Sequence, residues 1–237
     1  MLVVTGGLGR VAGVLRPVLP SDVRLVDVKP GAERWDLTDF RQAAEAVRGA
    51  DAVLHLAASP SPGQTWSWAR RGNVVVADAL LRACEGRVPK VVLASSVHAM
   101  GLYHQSGMGP VDPGWEPLPC CAYGASKVAV EELGRVHAER YGGSVICLRL
   151  GSTGYPLVER RYAGMQLFDG DARRLVLAAL SADVRFGVYF GVSANTPAQW
   201  DITNARVELG YEPVEDSSAL DIPEDRPYEF PNCRMFG

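Results

Sequence analysis

The sequence predicts an α/β fold in which helices cover both faces of a doubly wound parallel sheet. Two observations support this fold. Short β-rich runs alternate with longer helical patterns along the first 150 residues, and most of the β-rich runs are continuously apolar. Continuous apolar runs are typical of strands that are covered on both faces. Strands separated by helices pair in parallel through right-handed crossovers.

The elements follow one another in a regular order. Apolar β-rich runs predict five strands, at Leu2–Thr5, Val23–Asp27, Ala52–Leu56, Val91–Ser95 and Val145–Leu150. Helical patterns between them predict four helices, at Gly9–Leu19, Thr38–Arg48, Trp66–Cys84 and Tyr123–Tyr141. Pro17 has no N–H group and should kink or shorten the first helix. The later pattern is looser and predicts three further elements, at Ala172–Ser181 (helix), Gly187–Phe190 (strand) and Asn204–Leu209 (short helix). The tail from Tyr211 is rich in Pro, Asp and Glu and is expected to be largely irregular.

Composition excludes several classes of protein. The 237 residues fit one large domain or a main domain with a small appendage, and 47% of them are hydrophobic. A net charge of −3 without a Lys/Arg run argues against nucleic acid as a partner. No apolar stretch reaches the length of a membrane span, and the first residues do not resemble a signal peptide. We therefore expect a cytoplasmic protein.

The five cysteines are scattered and odd in number, at Cys84, Cys120, Cys121, Cys147 and Cys233. This usage suits a reducing compartment. Their spacing does not match that of known metal ligands, so no metal site is predicted. We interpret all five as packing or surface thiols, including the adjacent pair that precedes Tyr123.

A glycine-rich loop, Gly6-Gly7-Leu8-Gly9, joins the first predicted strand to the first helix. Gly6 suits a tight turn, and Gly9 leaves the backbone open to a pyrophosphate. At this position such a loop indicates a dinucleotide site of the Rossmann type. Asp27 ends the second strand, where a carboxylate would meet the adenosine ribose hydroxyls and repel a 2′-phosphate. The loop and Asp27 together predict NAD as the cofactor, although nearby Lys29 weakens the case against NADP.

Tyr123 and Lys127 are four residues apart and therefore share one face of a helix. A nearby ammonium is expected to lower the pKa of the phenol and to hydrogen-bond the nicotinamide ribose. Tyr123 could then remove a hydroxyl proton while a hydride leaves to the nicotinamide. Ser96, at the end of the fourth strand, could hydrogen-bond the reacting oxygen. We predict Ser96, Tyr123 and Lys127 as the catalytic residues.

The motifs together resemble the extended short-chain dehydrogenase/reductase family, also called the epimerase/dehydratase family. The residues that support the resemblance are Gly6–Gly9, Asp36–Leu37, Leu56–Ala58, Asn73, Ser95–Ser96 and Tyr123–Lys127. The resemblance extends over essentially the whole chain. It implies a Rossmann-type NAD-binding domain at residues 1–150 and a small, interleaved substrate-binding portion at 151–237. It also implies further cofactor contacts from Asp36, Leu37, Leu56, Ala57, Ala58 and Asn73.

Within that family, the chain resembles the uronate dehydrogenases, which oxidise C1 of a cyclic hexuronic acid to a lactone with NAD. Four segments support this closer resemblance, at Ser95–Gly101, Arg149–Ser152, Gly191–Asn195 and Leu209–Pro213. It implies substrate contacts from Ser59, Ser61, Ser96, His98, Tyr123 and Ser152. Arg161, or else Arg160, would bind the substrate carboxylate. The sequence departs from the pattern at Val97, where those enzymes usually have Asn, and in the loop at 59–62.

Three functions remain open from the sequence. The first is a dehydrogenase acting at C1 of a free sugar or sugar acid. The second is an epimerase or dehydratase of nucleotide-sugars. Only 87 residues follow position 150, which is little material to cover a nucleotide as well as a sugar, so the length argues against this function. The third is a non-catalytic NAD-binding regulator. The predicted partners are a small sugar or sugar acid and a second copy of the chain, with helices Trp66–Cys84 and Tyr123–Tyr141 pairing across a two-fold axis.

Overall fold

The computed structural model describes residues 1–105 and 109–236. Its nine strands there are β1 (Leu2–Thr5), β2 (Arg24–Asp27), β3 (Glu33–Arg34), β4 (Ala52–His55), β5 (Lys90–Ser96), β6 (Ser144–Leu150), β7 (Ser152–Thr153), β8 (Gln166–Leu167) and β9 (Phe186–Gly191). The α-helices in the same residues are α1 (Arg10–Leu15), α2 (Phe40–Ala46), α3 (Trp66–Ala69), α4 (Val76–Cys84), α5 (Ala122–Tyr141) and α6 (Asp169–Ser181). The 3₁₀ and π segments in the same residues are Arg16–Val18, Arg70–Val75, Val97–Gln105, Arg160–Met165, Ala205–Leu209 and Ser217–Ala219.

Seven strands form one parallel sheet in the order β3-β2-β1-β4-β5-β6-β9, which confirms the predicted fold class. The last of them comes from the C-terminal portion of the chain. Residues 186–191 pair with 145–150, so that portion completes the main sheet. The small strands β7 and β8 pair with each other beyond the carboxyl end of β6.

Two apolar cores lie on opposite faces of the sheet. Val3 and Val53 face the core formed with α2, α4 and α5, whereas their neighbours Val4 and Leu54 face the core formed with α1 and α6. Side chains alternate between the faces of a strand, so both alternating sets must be apolar when both faces are covered. This explains the continuous apolar runs of the sequence.

Two of the predicted helices are shortened or interrupted. Helix α1 ends at Leu15 and a 3₁₀ turn containing Pro17 follows it, as expected from the missing N–H. The predicted helix at 66–84 is interrupted by a π segment at Arg70–Val75. A π segment adds one residue to a turn and changes which side chain faces inward, and here the buried residue is Asn73. A pattern search for a single helical period does not detect such a segment.

A third apolar core lies beyond the carboxyl edge of the sheet. Its buried residues come from distant segments, at Val97, Met100, Val111, Cys120, Met165, Phe190, Val192, Trp200, Cys233 and Met235. The tail from Tyr211 is irregular apart from one 3₁₀ turn, as predicted. It is nevertheless packed, because Tyr211 and Met235 are fully buried. The tail therefore forms part of the wall that faces the sheet edge.

Candidate active site

The glycine loop lies tightly against the end of β4. Gly6 has a φ of +66°, and a Cβ there would lie 2.7 Å from the backbone nitrogen of Ala57. A Cβ at Gly9 would lie 3.0 Å from the Gly6 carbonyl oxygen. Neither position has room for a side chain, so the loop makes a tight turn against β4 and leads directly into the N-terminus of α1. This is the arrangement that a pyrophosphate requires.

Asp27 lies beside this loop, at the end of β2. Its carboxylate accepts hydrogen bonds from the backbone N–H of Leu8 at 3.0 Å and of Lys29 at 3.1 Å. Further along the chain, Asp36 is bound to Thr38, and the hydrogen bond from the Thr38 N–H lowers the pKa of the Asp36 carboxyl. Leu37 is buried in the first core. The glycine loop and Asp27 fit a dinucleotide, with a carboxylate placed at the ribose end.

A cavity of about 450 Å³ opens at the carboxyl edge of the sheet. Seven predicted site residues line it, namely Leu56, Ala58, Ser96, His98, Tyr123, Lys127 and Ser152. The rest of the wall is largely apolar and includes Val11, Leu150, Tyr155, Met165 and Phe230. Ser59, Ser61 and Arg161 do not line the cavity. The structure therefore brings the predicted catalytic residues together and leaves part of the predicted substrate set outside.

Tyr123 is buried at the start of α5. Burial raises the pKa of its phenol to about 12, while hydrogen bonding with the Ser96 hydroxyl acts in the opposite direction. The expectation that Lys127 lowers this pKa is wrong for the chain without cofactor. The Lys127 ammonium lies 5.7 Å from the centre of the Tyr123 ring and donates a hydrogen bond to the Ala94 carbonyl at 2.7 Å. Burial also lowers the pKa of Lys127 to about 8.

Beneath these residues lies a buried ion pair that the sequence analysis missed. Two nitrogens of Arg149 donate to the two carboxylate oxygens of Glu131, at 2.9 and 2.8 Å. Glu131 also accepts a hydrogen bond from the Ser95 hydroxyl. The three residues join α5, β5 and β6 directly below Ser96 and Lys127. The two partners of this pair are distant in the sequence, so the sequence does not show that they meet. The one local sign of a buried charge is that Glu131 lies one helical turn after Lys127 and therefore on the same face of α5.

Asn73 fixes the loop that follows β4. Its side-chain oxygen accepts from the Ser59 N–H at 2.7 Å, and its amide donates to the Ser126 hydroxyl at 2.8 Å. The Ser59 hydroxyl in turn donates to the Gln64 side chain at 2.6 Å, and the Ser61 carbonyl accepts from the Gln64 N–H. The predicted roles of Asn73, Ser59 and Ser61 toward ligands stay predictions, since here Asn73 and Ser59 bind each other and Ser59 and Ser61 both bind Gln64.

Both candidate arginines contact the tail. The Arg161 Nε lies 3.2 Å from a Glu159 carboxylate oxygen and 3.6 Å from one of Asp225. Its guanidinium also lies over the rings of Tyr228 and Phe236. Arg160 donates to the Ile222 carbonyl at 3.1 Å. Two carboxylates already neutralise Arg161, so its role as a ligand of a substrate carboxylate stays a prediction.

The turn after β5 brings His98 against three cysteines. The His98 Nδ1 lies 3.1 Å from the Cys120 Sγ, 3.6 Å from that of Cys233 and 3.7 Å from that of Cys121. Burial lowers the pKa of His98, but hydrogen bonds with Cys121 and Cys233 outweigh burial and raise it to about 9. Our interpretation of these cysteines as separate packing thiols did not foresee the cluster. The tail places Cys233 beside the adjacent pair, and nothing in the local spacing indicates this.

The start of α5 lies in close contact with the backbone of the turn that follows β5. A Cβ at Gly124 would lie 2.2 Å from the His98 carbonyl oxygen. The glycine therefore allows α5 to begin directly under the turn that follows β5. This places Tyr123 beside His98, with their rings 5.6 Å apart and edge to face.

Across residues 1–105 and 109–236, every helix is too short or too polar to cross a membrane.

Comparisons with known proteins agree with this geometry. The model of the NAD dependent epimerase/dehydratase family matches residues 2–156. An NAD-dependent glucose-6-phosphate dehydrogenase from Haloferax volcanii is 30% identical, over 84% of this chain and 82% of that protein. A uronate dehydrogenase from Pseudomonas syringae pv. tomato is also 30% identical, over 92% and 83%. The structure of a glucuronic acid dehydrogenase from Chromohalobacter salexigens superposes with a TM-score of 0.84 at 28% identity, covering 92% of this chain and 85% of that one.

A parallel sheet with a glycine loop after β1 and a Tyr/Lys helix at its carboxyl edge defines a class of dinucleotide-binding proteins. More narrowly, the chain belongs to the NAD dependent epimerase/dehydratase family.

Proposed function

We propose that this protein oxidises C1 of a uronic acid or a related aldose to the lactone, with NAD as the oxidant. The observation that supports this most directly is the placement of Ser96, Tyr123 and Lys127 in one cavity. The same cavity is lined by Leu56, whose backbone Gly6 of the glycine loop packs against. The relatives that act on sugars support the same reaction class. When bound, NAD accepts the hydride that leaves the substrate carbon.

The chain's own residues bind the substrate and move its proton. Tyr123 is the proposed base, and it must lose its phenolic proton before it can accept the one on the sugar hydroxyl. The hydrogen bond with Ser96 lowers the cost of that ionisation. Ser96 lines the same cavity and is proposed to hold the reacting oxygen. The Lys127 ammonium lies in the same largely apolar cavity, where its charge is proposed to stabilise the phenolate once cofactor and substrate have displaced the water.

The other ligand contacts belong to the same proposal. The glycine loop (Gly6–Gly9) and Asp27 hold the pyrophosphate and the adenosine ribose, with Asp36, Leu37, Leu56, Ala57, Ala58 and Asn73 as further cofactor contacts. His98 and Ser152 line the cavity and are proposed to hydrogen-bond the sugar.

One assay tests the function. NADH absorbance is followed while the protein is mixed with NAD and a panel of uronic acids and neutral aldoses. Stoichiometric NADH with one group of sugars supports the proposal. Conversion of a nucleotide-sugar without NADH accumulation would instead identify an epimerase or dehydratase. If no sugar reacts although NAD binds, a non-catalytic NAD-binding protein is indicated.

We further propose a cytoplasmic homo-oligomer. The cysteines are all free thiols, which suits a reducing compartment. Trp66, Trp68 and Val136 are exposed on the helices that the sequence analysis selected for pairing. Light scattering during size-exclusion chromatography tests the association, and a monomeric mass would reject it.

A further inference from the structure

Four potential ligand atoms lie together where the tail meets the turn after β5. The Nδ1 of His98 and the sulfurs of Cys120, Cys121 and Cys233 all lie within 4.8 Å of one another. The Cys120 sulfur is 3.6 Å from that of Cys233 and 3.9 Å from that of Cys121. The three cysteines come from two segments more than 110 residues apart in the chain. Such convergence of soft donors is not needed to fill an apolar core.

These separations match the edges of a tetrahedron around a metal ion. With metal–sulfur bonds of about 2.3 Å and metal–nitrogen bonds of about 2.0–2.1 Å, a tetrahedral zinc site has sulfur–sulfur edges near 3.7 Å and nitrogen–sulfur edges near 3.5 Å. The nitrogen–sulfur distances in the cluster run from 3.1 to 3.7 Å. Five of the six edges, from 3.1 to 3.9 Å, lie within about half an ångström of these values. The sixth edge, between the sulfurs of Cys121 and Cys233, is no longer than 4.8 Å, and it would have to close by up to about 1 Å around an ion.

The backbone around the cluster is already fixed. The Cys120 N–H donates to the His98 carbonyl at 3.3 Å, and the Arg234 N–H donates to the Cys120 carbonyl at 2.9 Å. The N–H of Gly124, in the first turn of the 20-residue helix α5, donates to the Cys121 sulfur at 3.4 Å. A Cβ at Gly101 would lie 2.4 Å from the Cys120 sulfur, so that glycine provides the room that the sulfur occupies. The donors are thus held together before any ion arrives.

We propose that His98, Cys120, Cys121 and Cys233 form a structural site for one Zn²⁺ ion. Three thiolates and one imidazole in tetrahedral array favour zinc over the harder Mg²⁺ and Ca²⁺ ions. Binding releases to solvent the protons of the thiols together with the proton that a charged His98 carries on Nδ1. Four protein ligands leave no open position, so the ion joins the tail to the turn after β5 and does not activate substrate.

The ion also determines the protonation of His98. With Nδ1 bound to zinc, the imidazole is neutral and its proton lies on Nε2. His98 lines the cavity, so this nitrogen would be a fixed hydrogen-bond donor on the wall of the site. This consequence rests on the proposed function, whereas the metal site does not.

Metal content is the first test. The full chain is purified without chelators, passed through a sizing column and analysed by plasma mass spectrometry, with cysteines counted by a thiol reagent. We expect one zinc per chain, and three additional thiols that react only after a strong chelator has been added. Cobalt substitution should give the thiolate charge-transfer band and visible bands of a tetrahedral site.

Variants locate the ion. Cys233→Ser and Cys120→Ser should lose stoichiometric zinc and lower Tm by about 5 °C or more. Cys84→Ala is the matched control, because Cys84 is a buried thiol in α4, within a different core; it should keep the zinc. If a ligand variant fails to fold, the chelated wild type replaces it. Proteolysis near Cys233 should then accelerate on chelation and slow again when zinc returns.

Two results would overturn the proposal. One is a folded, fully reduced chain that holds no zinc, and takes up none when zinc is added and then dialysed against a weak chelator. The other is a purified chain two hydrogens lighter than its sequence mass, with Cys233 linked to Cys120 or Cys121 in a disulfide. Zinc content is measured without NAD or sugar. A zinc-binding chain that forms no NADH would therefore reject the enzymatic function and leave the metal site intact.

Discussion

The two sides of the cavity are built in different ways. The sheet side consists of strand ends and helix α5, and a buried ion pair between Glu131 of α5 and Arg149 of β6 joins the helix to the sheet. The opposite wall combines the turn at His98, the 3₁₀ turn at Arg160–Met165 and the tail. These segments meet through side-chain packing and a few separate backbone hydrogen bonds, such as the one from the Arg234 N–H to the Cys120 carbonyl, whereas the strands are paired along their whole length. We infer that the sheet side determines folding and chemistry, whereas the wall determines which substrate fits.

The largest expected effect tests the sheet side. Glu131→Gln should destabilise the protein by about 3–5 kcal/mol, because it leaves the buried Arg149 charge without a counterion. Urea unfolding measures the change. The exposed pair of Arg135 and Glu132 provides the control, since Glu132→Gln should cost no more than about 1 kcal/mol. Equal losses in the two variants would show that burial of the first pair has no energetic consequence.

The next effect tests the chemistry. Tyr123→Phe should reduce kcat by about 10²-fold or more, the usual contribution of a general base, while NAD affinity stays nearly unchanged. Steady-state kinetics and NAD titration of the same preparation measure both quantities. Lys127→Ala should harm both, since one ammonium serves the phenol and the ribose. If the Tyr123→Phe variant keeps most of its activity, a group other than Tyr123 removes the proton from the sugar hydroxyl.

A smaller effect tests the cofactor end. Asp27→Asn should lower the preference for NAD over NADP by about tenfold, equal to about 1.4 kcal/mol, because the amide no longer repels a 2′-phosphate. The amide oxygen can still accept the Leu8 N–H, so the loop should persist. The ratio of kcat/KM for the two cofactors measures the preference. If the wild type already uses NADP as well as NAD, Asp27 does not determine the cofactor preference, and Lys29 becomes the candidate contact for the 2′-phosphate.

The smallest effect tests the wall. Arg161 already faces Glu159 and Asp225, so Arg161→Ala should loosen the tail and lower kcat/KM by about fivefold for acid and neutral sugars alike. Arg160→Ala is the companion variant. If instead the loss reaches about 10²-fold and is confined to the acid sugar, Arg161 binds the substrate carboxylate and must exchange partners when substrate enters.

What the sequence could predict follows the same division. The strands, the loop from Gly6 to Gly9 and the Tyr123/Lys127 face depend on local periodicity, so they were predictable. The π segment at Asn73 and the cluster around Cys233 depend on contacts between distant segments. The shift in the pKa of Tyr123 was predicted in the wrong direction. The sequence shows that Lys127 is near Tyr123, but it does not show how deeply the phenol is buried, and burial raises the pKa.

The glycine between Tyr123 and Lys127 has a consequence for the comparison of other sequences. The His98 carbonyl oxygen lies where a side chain at position 124 would begin. The residue type at this position therefore indicates whether the turn at His98 can pass this close to α5. A related sequence that keeps the Tyr and Lys but has a bulky residue between them must route that turn differently. One letter of an alignment would thus separate relatives that share this cavity shape from relatives that share only the chemistry.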